Sequence, residues 1–158
     1  MSGERPVVIK LSGSLLTPPK PSYLAEFRGL VEALLHDGYR PGIVTGGGRT
    51  ARDYIAPLRE LGVTESLLDE VGISAARLNA LTLALSLLPY ASPRVPTTLI
   101  EALEIYERGL VPVLGGLQPG QSTNAVAMEL AEALKAEAVV NLLNGVDGVY
   151  DRDPSEPG

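Results

Sequence analysis

Apolar positions along the chain fall alternately into short β-branched runs and longer stretches at helical spacing, and that rhythm predicts the elements. Val7-Val8-Ile9-Lys10-Leu11 ends in Ser12-Gly13-Ser14, the pattern of a buried parallel strand entering a turn. From Ser22 onward Leu24, Phe27, Leu30, Val31, Leu34 and Leu35 recur at helical spacing, and Gly38 follows as a stop. Gly42 to Thr45 reads as a second strand running into Gly46-Gly47-Gly48, then a helix from Arg49 through Ile55 that closes near Gly62. Between Glu65 and Leu88 the leucines occupy more than one face, which predicts packing on two sides, partly against another copy of the chain. Thr97 or Thr98 is placed to cap a helix through Ile105, with Gly109 to end it. Val111 to Leu114 then reads as a strand followed by Gly115-Gly116. Ser122 or Thr123 opens a helix through Leu134, and Ala138 to Leu143 reads as a further buried strand before the polar segment 144–158.

This alternation predicts an α/β fold: a three-layer αβα sandwich around a mostly parallel central sheet, residues 1–158 forming a single domain. In such sheets ligands bind beyond the carboxyl ends of the strands. The loops that follow strands are therefore where chemistry is expected.

Composition narrows the partners. The 158 residues are 45% hydrophobic and 20% charged, a globular balance, and the formal net charge of -6 argues against broad binding to nucleic acid or an anionic membrane. Any phosphate site must then be built locally, from backbone N–H groups, helix N-termini and a few cations. The absence of cysteine excludes disulfides, thiolate metal sites and thiol catalysis, and fits a reducing cytoplasm. The apolar run after Pro6 is too short for a signal peptide or a membrane span, so a soluble protein is expected.

Three strand-end loops carry the candidate chemistry: Ser12-Gly13-Ser14, Gly46-Gly47-Gly48-Arg49 and Gly115 to Thr123. Glycine lets the backbone approach an anion and turn its N–H groups inward, while the following helix adds the positive end of its dipole. One such cluster is as well explained by a tight turn; three at strand ends are not. Lys10 on the first strand is an odd place for an ammonium unless an anion lies nearby, the alternative being a side chain that snorkels to the sheet edge. Two general motifs fail. Gly115 to Ser122 has P-loop spacing but Gln121 stands where that motif needs Lys, and Gly46-x-Gly48-x-x-Ala51 follows the second strand with no acidic residue ending the next one.

Taken in order, Val8-Ile9-Lys10-Leu11-Ser12-Gly13-Ser14, Val44-Thr45-Gly46-Gly47-Gly48 with Arg52-Asp53-Tyr54-Ile55, Gly115-Gly116-x-x-Pro119-Gly120-Gln121-Ser122-Thr123-x-Ala125-Val126-Ala127 and Val146-Asp147-Gly148-Val149-Tyr150-Asp151-Arg152-Asp153-Pro154 resemble the motif series of the amino acid kinase superfamily. The Gly-Gly-Gly-x-x-Ala-Arg-x-Tyr-Ile form and the Pro-Gly-Gln-Ser-Thr loop are similar to those of its archaeal-type uridylate kinases. The resemblance implies an ATP-dependent phosphotransferase of the cytoplasm, acting on UMP in pyrimidine nucleotide biosynthesis and assembled as a homo-oligomer, a hexamer. It implies that Gly13, Ser14, Gly48 and Arg52 face the ATP phosphates, with Gly145, Tyr150 and Asp153 on the ATP side. Lys10 and Arg52 would be catalytic. Gly47, Asp69 and the loop Gln118, Pro119, Gly120, Gln121, Ser122, Thr123 with Asn124 would hold UMP. Mg²⁺ is expected mainly on the ATP phosphates, with no protein-built metal site. Each of these residues also has a plain reading: Asp69 as a helix-surface carboxylate, Arg52 as half of a surface ion pair, Tyr150 as packing.

Two departures qualify the resemblance. Asn124 stands where many relatives carry Asp, and Asn144-Gly145 replaces their usual Thr-Asn, which weakens any expectation of metal coordination. Relatives continue well past the Asp-Pro motif, so residues 1–158 are expected to lack the C-terminal part of the ATP-binding half, or to form a noncatalytic nucleotide- or oxyanion-binding module on the same fold. Other acceptors within the superfamily are acetylglutamate, aspartate and isopentenyl phosphate. The single histidine, His36, sits at a predicted helix C-terminus, where imidazole is favoured for structural reasons, and this subtracts from the isopentenyl reading.

Overall fold

The computed structural model describes residues 3–143. Strand β1 (Arg5–Leu11) passes through a 3₁₀ turn (Gly13–Leu16) to α1 (Pro21–His36), then β2 (Tyr39–Thr45), α2 (Gly48–Glu60), α3 (Glu65–Ser86), α4 (Leu99–Glu107), β3 (Val113–Leu114), α5 (Thr123–Leu134) and β4 (Ala138–Leu142). The four strands form one sheet in the order β3-β2-β1-β4, every pairing parallel. Because β1, β2 and β3 are neighbours pointing the same way, the turns that follow them leave one edge of the sheet side by side.

Side-chain alternation along the strands divides the core in two. Ile9, Leu11, Ile43 and Val113 face α1 and α3 and pack with Phe27, Val31, Leu83 and Leu87. Val8, Val44 and Leu114 face the other way, against Val126, Ala127 and Leu130 of α5 and Ala102 of α4. This is the expected three-layer sandwich, with one addition. Helix α2 buries none of its residues and packs on α3 and the 3₁₀ turn instead of on the sheet, as its charged composition allows. The stretch from Glu65 is a single 22-residue helix whose Leu68, Ile73, Ala80 and Leu83 are buried while Leu67, Leu78 and Leu85 are exposed.

Local signals act as predicted. Thr98 accepts a hydrogen bond from Glu101 N–H, and Ser122 accepts one from Ala125 N–H, so each caps its helix. Two expectations need correction. The ladder at Val111 to Leu114 is confined to Val113–Leu114, because Pro112 has no N–H to give; Val111 bridges to Ala91 instead. Strand β4 is not buried: Val139 and Val140 are 37% and 46% exposed, since β4 is the sheet's edge strand among the described residues.

Candidate functional site

The exit of β1 and the exit of β2 are packed backbone to backbone. A Cβ placed on Gly13 would overlap Gly46 O and Gly48 N, and one on Gly48, whose φ is +57°, would overlap the Gly13–Ser14 peptide. Only glycine at both positions lets the turns interlock. Gly46 N–H also donates to Leu11 O at 3.3 Å, and Ser12 and Ser14 share a hydrogen bond at 2.8 Å.

Lys10 is brought to this junction by strand geometry. It lies two residues after Val8, so it shares the α5 face, opposite Val44 on β2 and Asn141 on β4. The position of a Cβ on Gly46 lies 3.3 Å from Thr123 Oγ1, 3.7 Å from Gly13 N and 3.9 Å from Lys10 Nζ. One small volume is thus bordered by an ammonium, a hydroxyl at the start of α5 and the amide of the first turn. Lys10 is 8% exposed, pairs with no carboxylate among the described residues, and has its pKa lowered by burial. Asn141 Oδ1 next to it in register is also buried without a hydrogen-bond partner among those residues. A polyanion placed there would pair with the ammonium and offset its desolvation.

Helix α3 holds the loops from behind. Asn79, 5% exposed, donates from Nδ2 to Gly46 O at 2.8 Å and reaches Gly47 O at 3.4 Å. Arg77 donates to Gly116 O at 3.0 Å and to Leu117 O at 3.4 Å. Gly115 and Gly116 are pressed against α3, where a Cβ would come within 2.6 Å of Ala76 C and 2.8 Å of Ile73 Cγ1. Asp69 Oδ2 accepts Gly120 N–H at 2.8 Å, tying the tip of the long loop to the same helix.

Of the residues expected in the site, Lys10, Gly13, Ser14, Gly48 and Thr123 come together around Gly46. Gly47 belongs to the same turn, but its Cα faces Ala51 and Ala75. Asp69, Gln118, Pro119, Gly120, Gln121 and Ser122 form a second cluster along the 115–123 loop, with Asn124 exposed in the first turn of α5. Arg52 stands exposed on α2 and makes no ion pair or hydrogen bond with the turns among the described residues. Gly145, Tyr150 and Asp153 lie outside the described residues, as does the whole segment carrying the Val-Asp-Gly-Val-Tyr motif. Asn79 and Arg77 were missed by the sequence reading. The available signal was two polar residues inside the long leucine-rich stretch, since a buried amide or guanidinium needs partners.

A doubly covered parallel sheet whose interlocked strand-end turns surround a buried lysine is an α/β architecture of the phosphotransferase kind. The chain belongs to the amino acid kinase family, whose model matches residues 5–157. It is similar to the uridylate kinase of Aeropyrum pernix, 52% identical over 96% of this chain and 68% of that protein, and to that of Hyperthermus butylicus, 48% identical over 95% and 66%. Among solved structures it is similar to the uridylate kinase of Archaeoglobus fulgidus, with TM-score 0.84 and 40% identity over 96% of this chain and 69% of that one. The chain thus spans about two thirds of the length of the relatives it matches.

Proposed function

We propose that the protein transfers the γ-phosphate of ATP to UMP, giving ADP and UDP. The observation that carries this reading is the convergence of Lys10 Nζ, Thr123 Oγ1 and the Gly13 amide on the Gly46 turn, on a chain 52% identical to a uridylate kinase. Phosphoryl transfer asks a protein for in-line positioning and for neutralisation of charge on the moving group rather than for a covalent partner. The buried ammonium, the Thr123 hydroxyl and the Gly13 amide support that reading.

In this reading Gly13, Ser14 and Gly48 hold the ATP phosphates through backbone N–H groups, with Arg52 reaching them from α2. Lys10 follows the transferring phosphoryl group, and the water-poor surroundings that burial creates strengthen the attraction between its ammonium and the phosphoryl oxygens. A UMP phosphate oxygen attacks the γ-phosphorus as the bond to the β-phosphate oxygen breaks, and ADP leaves with that electron pair. Gly47, Asp69 and the loop Gln118 to Asn124 hold UMP, the α5 N-terminus favouring its phosphate. Mg²⁺ arrives with ATP as part of the substrate; among the described residues no three acidic or imidazole side chains gather into a cage of their own.

We also infer a homo-oligomer, hexameric as the resemblance implies. The exposed leucines of α3, Leu67, Leu78 and Leu85, form an apolar face that a second copy would cover. The cysteine-free composition suits a reducing cytoplasm. Purified protein with Mg-ATP and UMP is expected to form UDP well above a no-enzyme control, while acetylglutamate, aspartate and isopentenyl phosphate are not phosphorylated. UDP formation at the control level would overturn the reading. Light scattering giving a monomer would remove the oligomer.

A further inference from the structure

Asn79 lies on α3, three turns along the helix from Asp69, and meets the 46–48 turn only through backbone carbonyls. Its side chain is 5% exposed, and its amide is spent on Gly46 O at 2.8 Å, with Gly47 O at 3.4 Å. A core helix position beside Ala76, Ala80 and Leu83 would be filled at lower cost by an apolar residue, because a buried amide must recover its hydration through hydrogen bonds. The bond to Gly46 is therefore the feature that explains an asparagine here.

Its consequence follows from the planarity of the peptide group. In a trans peptide the C=O of one residue and the N–H of the next point in opposite directions. Tying Gly46 O back to α3 turns Gly47 N–H away from α3, and drawing on Gly47 O does the same for Gly48 N–H. Neither of these N–H groups has an acceptor among the described residues, and both belong to the turn that interlocks with Gly13. Gly47 O also accepts Ala51 N–H at 3.2 Å in the first turn of α2. Gly46 O has Asn79 as its closest hydrogen-bond donor among the described residues, at a position where glycine has no side chain to resist a peptide flip.

We infer that Asn79 is a positioning residue: it locks the Gly46–Gly47 and Gly47–Gly48 peptides with their N–H groups presented to the phosphates. The inference rests on the phosphoryl-transfer reading of this site. It explains how a glycine run, flexible by composition, serves as a preorganised anion holder that needs no rearrangement during reaction.

The test uses the full chain with Asn79→Leu, which keeps the volume and removes the donor, and Asn79→Ser, which is smaller and retains one hydroxyl. ATP and UMP affinities are measured by calorimetry, with the fitted stoichiometry reporting the folded fraction, alongside steady-state kinetics with Mg-ATP and UMP. Asn79→Leu is expected to weaken binding of UMP, on the Gly47 side, or of ATP, on the Gly48 side, at least fivefold, and to lower kcat at least tenfold at unchanged stoichiometry, with Asn79→Ser intermediate. Wild-type ATP and UMP affinities and kcat in folded Asn79→Leu would overturn the inference, because a purely structural asparagine changes unfolding temperature without changing how folded molecules hold either nucleotide. If Asn79→Leu does not fold, Asn79→Ser decides by the same two readouts. A wild-type chain that binds ATP but makes no UDP sinks the transfer reading and leaves the Asn79 arm decided by affinity; one that binds no ATP overturns both.

Discussion

Two glycine-rich loops leave adjacent strands of one sheet and both are held from α3, yet the means differ. The turn at 46–48 is fixed by contact: its backbone interlocks with Gly13 and its carbonyls are held by a buried asparagine. The loop at 115–123 is fixed at its root and tethered at its tip. Gly115 and Gly116 press on α3, but Gly120 has open space around it and is restrained by a single hydrogen bond to Asp69. A rigid cradle suits the phosphates between which the bond is exchanged, because fixed N–H groups need not reorganise as charge shifts in transfer. A loop with a tethered tip suits an acceptor that must enter and leave on each turnover.

The comparison is broken most severely at Gly13. Gly13→Ala places a methyl group into the backbone of Gly46 and Gly48, so the turns must separate; a loss of about 2 kcal/mol in stability and about a hundredfold in kcat is expected. Gly120→Ala is the control in the other loop. There the φ of +80° strains alanine, but nothing lies within 4 Å, and a cost of about 1 kcal/mol with little change in kcat is expected. Chemical denaturation and steady-state kinetics of the pair check this. Equal effects at the two glycines would erase the distinction.

Next in size is Lys10. Lys10→Met should lower kcat about a hundredfold, the range seen when a preorganised charge is removed from a transferring group. Folding stability should not suffer, because the mutation removes a buried ammonium with no carboxylate partner among the described residues. The pH dependence follows from sign. Burial lowers the folded-state pKa of Lys10 below its ordinary 10.5. Between that lowered value and 10.5 the unfolded chain binds more protons than the folded one, so this lysine's contribution makes stability rise with pH through the window and fall again as pH drops through the folded pKa. Denaturation of wild type and Lys10→Met across alkaline pH should show the rise flattened in the variant, and saturating ATP should shrink the difference by pairing the ammonium. Parallel curves would mean that Lys10 titrates normally.

How far the sequence carried the fold and the site can be read from the same residues. Strand and helix periods were legible because β1, β2, α1 and α5 carry apolar residues where they are buried, and the capping roles of Thr98 and Ser122 were legible because their signals are local. The glycine clusters could be assigned to strand exits for the same reason. The interlock of Gly13 with Gly48 could not, since it depends on β1 and β2 being neighbours in register, a nonlocal fact. Asn79 and Arg77 were hidden by their setting, as a helix rich in leucine and alanine gives no hint which polar residue points at a turn 33 residues earlier. Exposure of β4 was misread because an edge strand and a central strand of Val and Leu look alike in one dimension.

Arg52 tests whether α2 takes part in the cradle at all. The helix begins in the interlocked turn, so its first residues are placed by the same contacts that fix Gly48, and Thr50 Oγ1 lies 3.3 Å from Thr17 Oγ1 across the junction. Arg52→Ala is expected to lower kcat/KM at least tenfold, about 1.4 kcal/mol of transition-state stabilisation, with unfolding unchanged. Its neighbour pair Arg49–Asp53, at 3.8 Å and exposed, serves as the control, and Arg49→Ala should leave kcat/KM untouched. Equal kinetics in the two variants would return Arg52 to the surface.

The smallest effect is expected at Asp69, and it is the one that separates the two loops by kinetic parameter. Asp69 Oδ2 accepts Gly120 N–H, so Asp69→Asn replaces a charge-assisted bond with a neutral one while keeping shape. If the loop serves acceptor binding, the loss falls on association with UMP, raising its KM about fivefold and leaving kcat within twofold, as expected when an interaction is equally present in ground and transition states. A fall in kcat with KM unchanged would instead mean that the tethered tip acts on the reacting phosphates, and the division between a rigid donor cradle and an adaptable acceptor loop would be lost.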